Sequence, residues 1–202
     1  MIEEKTMTAT ELELQLESEK QSSNHKLAMT VAIISWSMLF ATLLLGYFVY
    51  RFSQTVWPPL GVGIIPMLLP NMSLLSVAAS SVALIFATRS MLQKKYSSMR
   101  WHNIFTLILG LVYMISQFKF WEKLNELDLF SSINIFGSIL HGFTWIHAGH
   151  MVCALAALLW GIWVIRKDSN VTKWRNYMVN VSMFWHFLTI VWLVLYCTLF
   201  IF

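Results

Sequence analysis

The chain has 202 residues, of which 57% are hydrophobic and only 12% are charged, and its mean hydropathy is +0.63. Soluble domains carry about 25% charged residues, so a soluble globular protein is excluded and the class is integral membrane protein. The formal net charge of +4 is small and gives no indication of nucleic-acid binding.

Five apolar segments are long enough to cross a bilayer, for which roughly 20 residues suffice. A polar, acidic tail with six Glu precedes them at residues 1–26, and we interpret it as mobile or as a short element docked on a partner. The predicted fold class is therefore all-α, a single domain of five transmembrane helices over residues 27–202. Its spans are predicted at 27–50, 71–92, 101–121, 137–165 and 177–202.

Basic residues predict the orientation of these spans. Eleven of the fourteen Lys and Arg lie in the N-terminal tail and in the connections after the second and fourth spans. Cytoplasmic segments carry the excess of Lys and Arg, so we expect a cytoplasmic N-terminus and a periplasmic C-terminus. The connection after the first span, with Trp57 and Pro58, is then outside, and its prolines exclude a continuous helix.

The fourth span carries a stripe of small residues at every fourth position. Such stripes allow two helix backbones to approach closely, and helices in lipid associate by packing and not by expelling water. We therefore predict a helix-packing face formed by Gly149, Cys153, Ala157 and Gly161. Both cysteines of the chain, Cys153 and Cys197, are expected to be buried free thiols because they lie in apolar runs without metal-ligand spacing.

Ionisable groups inside the spans are restricted to histidine. No Asp or Glu lies within any of the five spans, which argues against a proton pump or an ion-coupled transporter. Four histidines could meet across the bundle as ligands of a haem or a metal ion. Without an HxxxH pair, an acidic co-ligand or a CxxCH motif, hydrogen bonds to neighbouring helices are the favoured interpretation of His141, His147, His150 and His186.

Two further features predict contacts between helices. Gln117 places an amide within the third span, and we expect it to pair across helices. Trp185, Thr189, Trp192 and Tyr196 recur at helical spacing along the fifth span, which is typical of a packing or lipid-contact face.

Collinear motifs in all five spans resemble the cytochrome c oxidase subunit III family, over roughly residues 27–202. The last span, FWHFLTIVWLVLY from Phe184 to Tyr196, is similar to the family's closing helix, and His147-Ala-Gly-His150-Met is similar to its HGxHV motif. The other motifs are Ser35, Met38 and Phe40 with Tyr47–Arg51, then Trp57-Pro58-Pro59, and Leu109-Gly110 with Gln117 and Trp121.

Three positions depart from the family pattern, because its membrane carboxylates are replaced by Trp36, Phe120 and Thr189. A role in proton uptake through those groups is therefore not implied. Five spans resemble the short bacterial form of the family, which lacks two additional N-terminal helices of the longer form.

The resemblance implies a non-catalytic subunit of a haem–copper terminal oxidase in a bacterial plasma (inner) membrane. No catalytic, cofactor-binding or metal-ligating residue is expected in this chain, and haem and copper are expected in the partner catalytic subunit I. The implied work is to stabilise that subunit, with phospholipid held in a cleft where two N-terminal helices lean away from the other three. Residues implied to pack or to contact lipid are Trp57, Pro58, Gln117, Trp121, His147, His150, Trp185, His186 and Trp192.

Two alternatives remain open on the sequence. One is an accessory subunit of a quinol oxidase or a nitric oxide reductase. The other is a self-standing membrane haem or metal protein that uses His141, His147, His150 and His186 as ligands.

Overall fold

The computed structural model describes residues 9–57, 67–126, 135–167 and 171–201. Five helices are long and apolar enough to cross a membrane, which confirms the predicted all-α class and the predicted number of spans. The described part of the chain contains no β-strand. The helices are α1 (Ala9–Ser53), α2 (Leu68–Leu92), α3 (Tyr96–Glu126), α4 (Ile135–Lys167) and α5 (Val171–Tyr196), and α5 continues into a π-helical turn at Cys197–Ile201.

Helix α1 begins much earlier than the first predicted span. It runs unbroken for 45 residues from Ala9, through most of the segment interpreted as a polar tail. At 1.5 Å per residue it is about 67 Å long, roughly twice the hydrocarbon thickness of a bilayer. Glu, Leu and Lys are good helix formers, so the helix continues where hydropathy no longer indicates a span.

Helices α2–α5 form a closed four-helix bundle. Helices α2 and α4 both pack against α3 and against α5, and α1 lies outside this bundle along α5. The arrangement implied by the resemblance, with two N-terminal helices leaning away from three others, is therefore wrong for this chain. Only α1 is peripheral, and just 6% of the most apolar window of α1 is buried.

Close packing of α2 explains why this helix belongs to the bundle. Its buried face contains five Ser and Ala residues, which let α3 and α5 approach its backbone. The serine hydroxyls on this face donate to carbonyls of their own helix, so they bring no unpaired polar group into the interior. The residues of this face include Ser73, Ser76, Ser80, Ala83 and Ala87.

Gly110 marks the closest approach of α3 to its neighbours. A Cβ atom at Gly110 would lie 2.8 Å from Leu155 Cδ2 on α4 and 2.8 Å from Trp185 Cη2 on α5. The Trp185 ring cannot move aside freely, because its Nε1 donates a 3.0 Å hydrogen bond to Ser80 Oγ on α2. Gly110 therefore lies where α4 and α5 both approach α3 closely.

Replacing Gly110 by alanine should lower the melting temperature of the purified protein. Overpacking of a filled core costs about 1–3 kcal/mol, because side chains or backbones must shift. Gly149→Ala is the matched control, since a Cβ atom at Gly149 meets nothing within 4 Å. Equal melting temperatures for the two variants, measured by thermal denaturation in detergent, would contradict the observed packing of α3.

Candidate functional site in the bundle interior

The imidazole of His147 on α4 is a fully buried polar group in the bundle interior. Its Nε2 lies 3.0 Å from the carbonyl oxygen of Leu188 on α5, and its Nδ1 lies 2.8 Å from the hydroxyl of Tyr113 on α3. A carbonyl oxygen can only accept a hydrogen bond, so Nε2 carries the ring proton and donates to it. Nδ1 of the neutral ring then accepts a hydrogen bond from the Tyr113 hydroxyl. One side chain thus joins three helices, and both of its ring nitrogens are occupied within the protein.

Aromatic rings close the space around this imidazole. The Trp192 ring lies 5.1 Å from the His147 ring and 5.3 Å from the Tyr113 ring, and Phe40 of α1 approaches His147 at 6.3 Å. Tyr113, His147 and Trp192 are all at most 1% exposed. The arrangement excludes lipid and water from the hydrogen bonds, so it serves to hold the helices together.

A second polar connection joins α2 and α5. The hydroxyl of Ser81 lies 2.6 Å from Nδ1 of His186, whose Nε2 lies 3.1 Å from the hydroxyl of Ser182. Thr88 continues the chain of hydroxyl groups by donating to Ser182 at 3.4 Å. Like His147, His186 is therefore bonded to a neighbouring helix through side chains that belong to the bundle.

A third connection joins α3 and α4 near the C-terminal end of α3. Nε1 of Trp121 donates to Oγ1 of Thr144 at 2.9 Å, and the Trp121 ring stacks on Trp145 at 4.8 Å. His141 contacts the same Trp121 ring at 5.8 Å. Trp145 is 53% exposed, so this aromatic pair reaches from the bundle interior to its surface.

The four histidines that the alternative interpretation would use as ligands do not converge. His147 and His186 bond to different helices, His141 lies against Trp121, and His150 bonds to the carbonyl of Ile146 one turn back on its own helix, at 2.7 Å. Within the described ranges, no three His, Cys, Asp or Glu residues are close enough to hold a metal ion. The arrangement offers hydrogen bonds between helices and no ligand cluster.

Two buried donors have no hydrogen-bond partner among the described residues, and for Gln117 the sequence had predicted one. Gln117 and Trp192 are each 1% exposed, yet Gln117 Nε2 and Trp192 Nε1 have no hydrogen-bond partner among the described residues. The predicted pairing of Gln117 across helices is therefore not found there. Both side chains contribute to packing in the interior.

The small-residue stripe of α4 packs against α5 at its C-terminal end and is exposed at its N-terminal end. A Cβ atom at Gly161 would lie 2.7 Å from Met178 Sδ on α5, and the carbonyl of Ala157 accepts a 2.8 Å bond from the Tyr177 hydroxyl. Gly149 and Cys153 are exposed, so the predicted packing is not found at these two positions within the chain. The reason is a gradual rotation of the four-residue stripe around the helix, since an α-helix has 3.6 residues per turn.

An open groove lies between the C-terminal ends of α1 and α5. It has a volume of about 540 Å³ and is lined by Phe48, Arg51, Phe52, Leu193, Val194, Cys197 and Thr198. Arg51 lies 5.1 Å over the Trp57 ring and 3.5 Å from the Tyr47 hydroxyl, which itself donates to the Thr198 carbonyl at 3.1 Å. Trp57 thus holds the arginine at one end of an apolar groove, while Pro58 lies outside the described residues.

Comparison with known proteins assigns the family. The family model for cytochrome c oxidase subunit III matches residues 13–202. The chain belongs to the cytochrome c oxidase subunit III family. It is 24% identical to cytochrome c oxidase subunit 3 of Synechocystis over 81% of this chain and 70% of that protein. The corresponding protein of Thermostichus vulcanus is 25% identical over 87% of this chain and 86% of its own length, and that of Mus musculus is 26% identical over 71% and 54%.

In this member of the subunit III family, the three positions that depart from the family's carboxylates fit an apolar interior. Trp36 packs against Phe184 with ring centroids 4.7 Å apart, and Phe120 is 2% exposed and contacts Phe200. The Thr189 hydroxyl donates to the carbonyl of Trp185 in the preceding turn, at 3.0 Å. These contacts of the three side chains involve no charged group.

Several groups that join the helices of this subunit were not predicted from the sequence. Tyr113, Thr144 and Ser80 each supply a hydroxyl to a bond between helices. Tyr113 could have been found from its position one turn before Gln117, because both residues lie on the same face of α3. Thr144 and Ser80 carry no such signal, since Ser and Thr hydroxyls in membrane helices often bond to their own backbone.

Tyr113→Phe should destabilise the subunit, because it leaves His147 Nδ1 without a donor in a dry interior. Hydrogen bonds between membrane helices contribute about 0.6 kcal/mol on average and up to about 1.7 kcal/mol. Tyr50→Phe is the control, because no hydrogen bond of the Tyr50 hydroxyl exists among the described residues and that ring still contacts Trp57. Thermal denaturation in detergent should show a lower midpoint for Tyr113→Phe only; an unchanged midpoint would exclude a stabilising role for this bond.

Proposed function

We propose that this chain is a non-catalytic subunit of a haem–copper terminal respiratory oxidase, in which it stabilises the catalytic subunit I. Family membership supports a place in such a complex. The observation that carries the non-catalytic assignment is the use of both His147 ring nitrogens in bonds between helices. An imidazole engaged in this way organises the bundle and has no nitrogen left for a metal.

Haem and copper belong, in this proposal, to the partner subunit. The histidines of this chain are distributed over separate contacts, and each of the spans is free of Asp and Glu in its apolar core. In this proposal the chain contributes to the complex through the surface with which it binds the catalytic subunit. A subunit that binds the folded partner and not the unfolded one stabilises it by mass action.

Two unpartnered surfaces are suited to such contacts. Helix α1 buries only a narrow stripe, and α4 presents an outward face that combines bulky and small side chains. Gly149 on that face has open space around its Cα, so another helix backbone could approach it closely. Neighbouring oxidase subunits and lipids of the bacterial plasma membrane are the proposed occupants of these surfaces.

Purification of the tagged chain in mild detergent tests the proposal. We expect a haem–copper catalytic subunit to co-purify, identified by mass spectrometry and by its haem spectrum, and to lose activity faster during turnover once this chain is removed. The donor that the purified complex oxidises, cytochrome c or quinol, decides between the two oxidase classes. A stable existence as a lone monomer in the cell, or a haem absorption band in the isolated chain, would contradict the proposal.

Phospholipid is the proposed ligand of the groove between α1 and α5. Its walls are mainly apolar, as an acyl chain requires, and Arg51 supplies a cation at one end. Among the described residues, Arg51 has no carboxylate within ion-pair distance. A guanidinium with free N–H groups is suited to bind a phosphate through two parallel hydrogen bonds.

Arg51→Gln should reduce the amount of anionic phospholipid that remains bound to the purified protein, because the phosphate loses its charged partner. Native mass spectrometry or quantitative lipid extraction measures this amount. Arg89→Gln is the control, since Arg89 is exposed at the other end of the bundle and is not among the residues that line the groove at Arg51. Equal lipid retention in wild type and both variants would refute the assignment of a lipid headgroup to Arg51.

A further inference from the structure

The N-terminal part of α1, residues 9–26, forms a helical arm that projects beyond the bundle. Its base is held where Nδ2 of Asn180 on α5 donates to the carbonyl of His25, at 3.3 Å. From that point the arm extends 16 residues to Ala9, about 24 Å at 1.5 Å per residue. Helix α5 begins at Val171, only about 14 Å from Asn180 on the same scale, so α5 ends short of the tip of the arm.

Two parallel rows of side chains run along this arm. Leu12 and Leu16, one turn apart, are 46% and 57% exposed. Glu13 and Glu17 are also one turn apart and fully on the exposed side. Like charges at this spacing destabilise a helix, and exposed leucines leave apolar surface in water. A partner surface that carries both cations and aliphatic groups would remove both unfavourable terms, because it would neutralise the carboxylates and cover the leucines.

Nothing in the described part of the chain provides that cover. The ion pair found there joins Lys123 to Glu126 on α3, and no basic group lies within ion-pair distance of Glu13 or Glu17. An isolated helical segment of this length is marginal in water. The arm therefore presents apolar and acidic side chains that only a binding partner can cover and neutralise.

The charge of the arm selects among possible partners. The anionic surface of the cytoplasmic leaflet would repel Glu13 and Glu17, so the arm is not suited to lie on lipid. On the predicted cytoplasmic side, multi-pass membrane proteins concentrate Lys and Arg in their loops. These side chains combine an aliphatic stem, which covers leucine, with a charged end that pairs with carboxylates.

We propose that the arm docks, through Leu12, Leu16, Glu13 and Glu17, onto a basic cytoplasmic loop of a neighbouring multi-pass subunit of the oxidase. The identity of this neighbour rests on the proposed function. The arm then anchors the chain to its complex outside the hydrocarbon, in addition to contacts between helices within it.

Charge reversal in the assembled complex tests the docking. The double variant Glu13→Lys/Glu17→Lys should retain at least tenfold less catalytic subunit on the tagged chain than wild type, at moderate salt in mild detergent. The matched control is Glu122→Lys/Glu126→Lys, which makes the same charge change at the same spacing on the far end of α3. Both Glu122 and Glu126 are exposed, so this control should retain the partner as wild type does.

A photo-crosslinker at Leu16 in the otherwise unchanged chain provides the second measurement. It should recover a Lys- or Arg-rich loop peptide of the neighbouring oxidase subunit. Equal retention by the arm variant and its control, or a Leu16 crosslink to a second copy of this chain or to lipid, would overturn the docking. Failure of the wild-type chain to retain any haem–copper subunit would instead overturn the proposed function, while the peptide crosslinked at Leu16 would still decide whether the arm binds a basic loop.

Discussion

Hydrogen bonds between helices are the constraint on which this bundle depends. In hydrocarbon, lipid tails are as apolar as the helices themselves, so burying apolar surface gives little net force for association. A polar side chain inside a span must find a partner on the protein. His147 meets this requirement by joining α3, α4 and α5. Trp185 and His186 join α5 to α2, Trp121 joins α3 to α4 a second time, and Thr106 on α3 donates to the Ser80 carbonyl on α2.

The peripheral place of α1 follows from the same constraint. Its links to α5 are the bond from Tyr47 to the Thr198 carbonyl and the bond from Asn180 to the His25 carbonyl, near the two ends of the contact. Between them, contacts such as that of Trp36 with Phe184 are apolar. A helix with so few polar partners leaves most of its circumference to lipid and to other subunits, and it leaves the groove at Arg51 open.

Hydropathy predicted the number and the type of the helices, because length and polarity alone decide whether a segment can span a bilayer. It could not predict which faces meet. Gly110, Gly149 and Gly161 are the same residue in similar apolar runs, yet a side chain would collide with neighbours at Gly110 and Gly161 and meets open space at Gly149. The residue type alone cannot predict whether a glycine is packed or exposed, because this depends on the rotation of its helix and on the neighbouring helices.

The candidate site was predicted in part for the same reason. His147 and His186 stood out because an imidazole in an apolar run needs a partner, and each does reach a neighbouring helix. Tyr113 did not stand out, since tyrosine is ordinary in membrane helices. The early start of α1 was missed because hydropathy identifies only apolar segments that can lie in the bilayer. Helix propensity extends α1 beyond such a segment into polar sequence.

The short connection between α2 and α3 bears on how the protein is built. A tight turn at Gln93–Lys95, with Lys94 in the left-handed conformation at φ 58°, joins two extensively packed helices, so they can enter the bilayer together as a hairpin during synthesis. The contact of α1 with α5 is the opposite case, since Tyr47 and Thr198 are 151 residues apart. Helix α1 can therefore reach its final position only after α5, which is synthesised later, has entered the membrane.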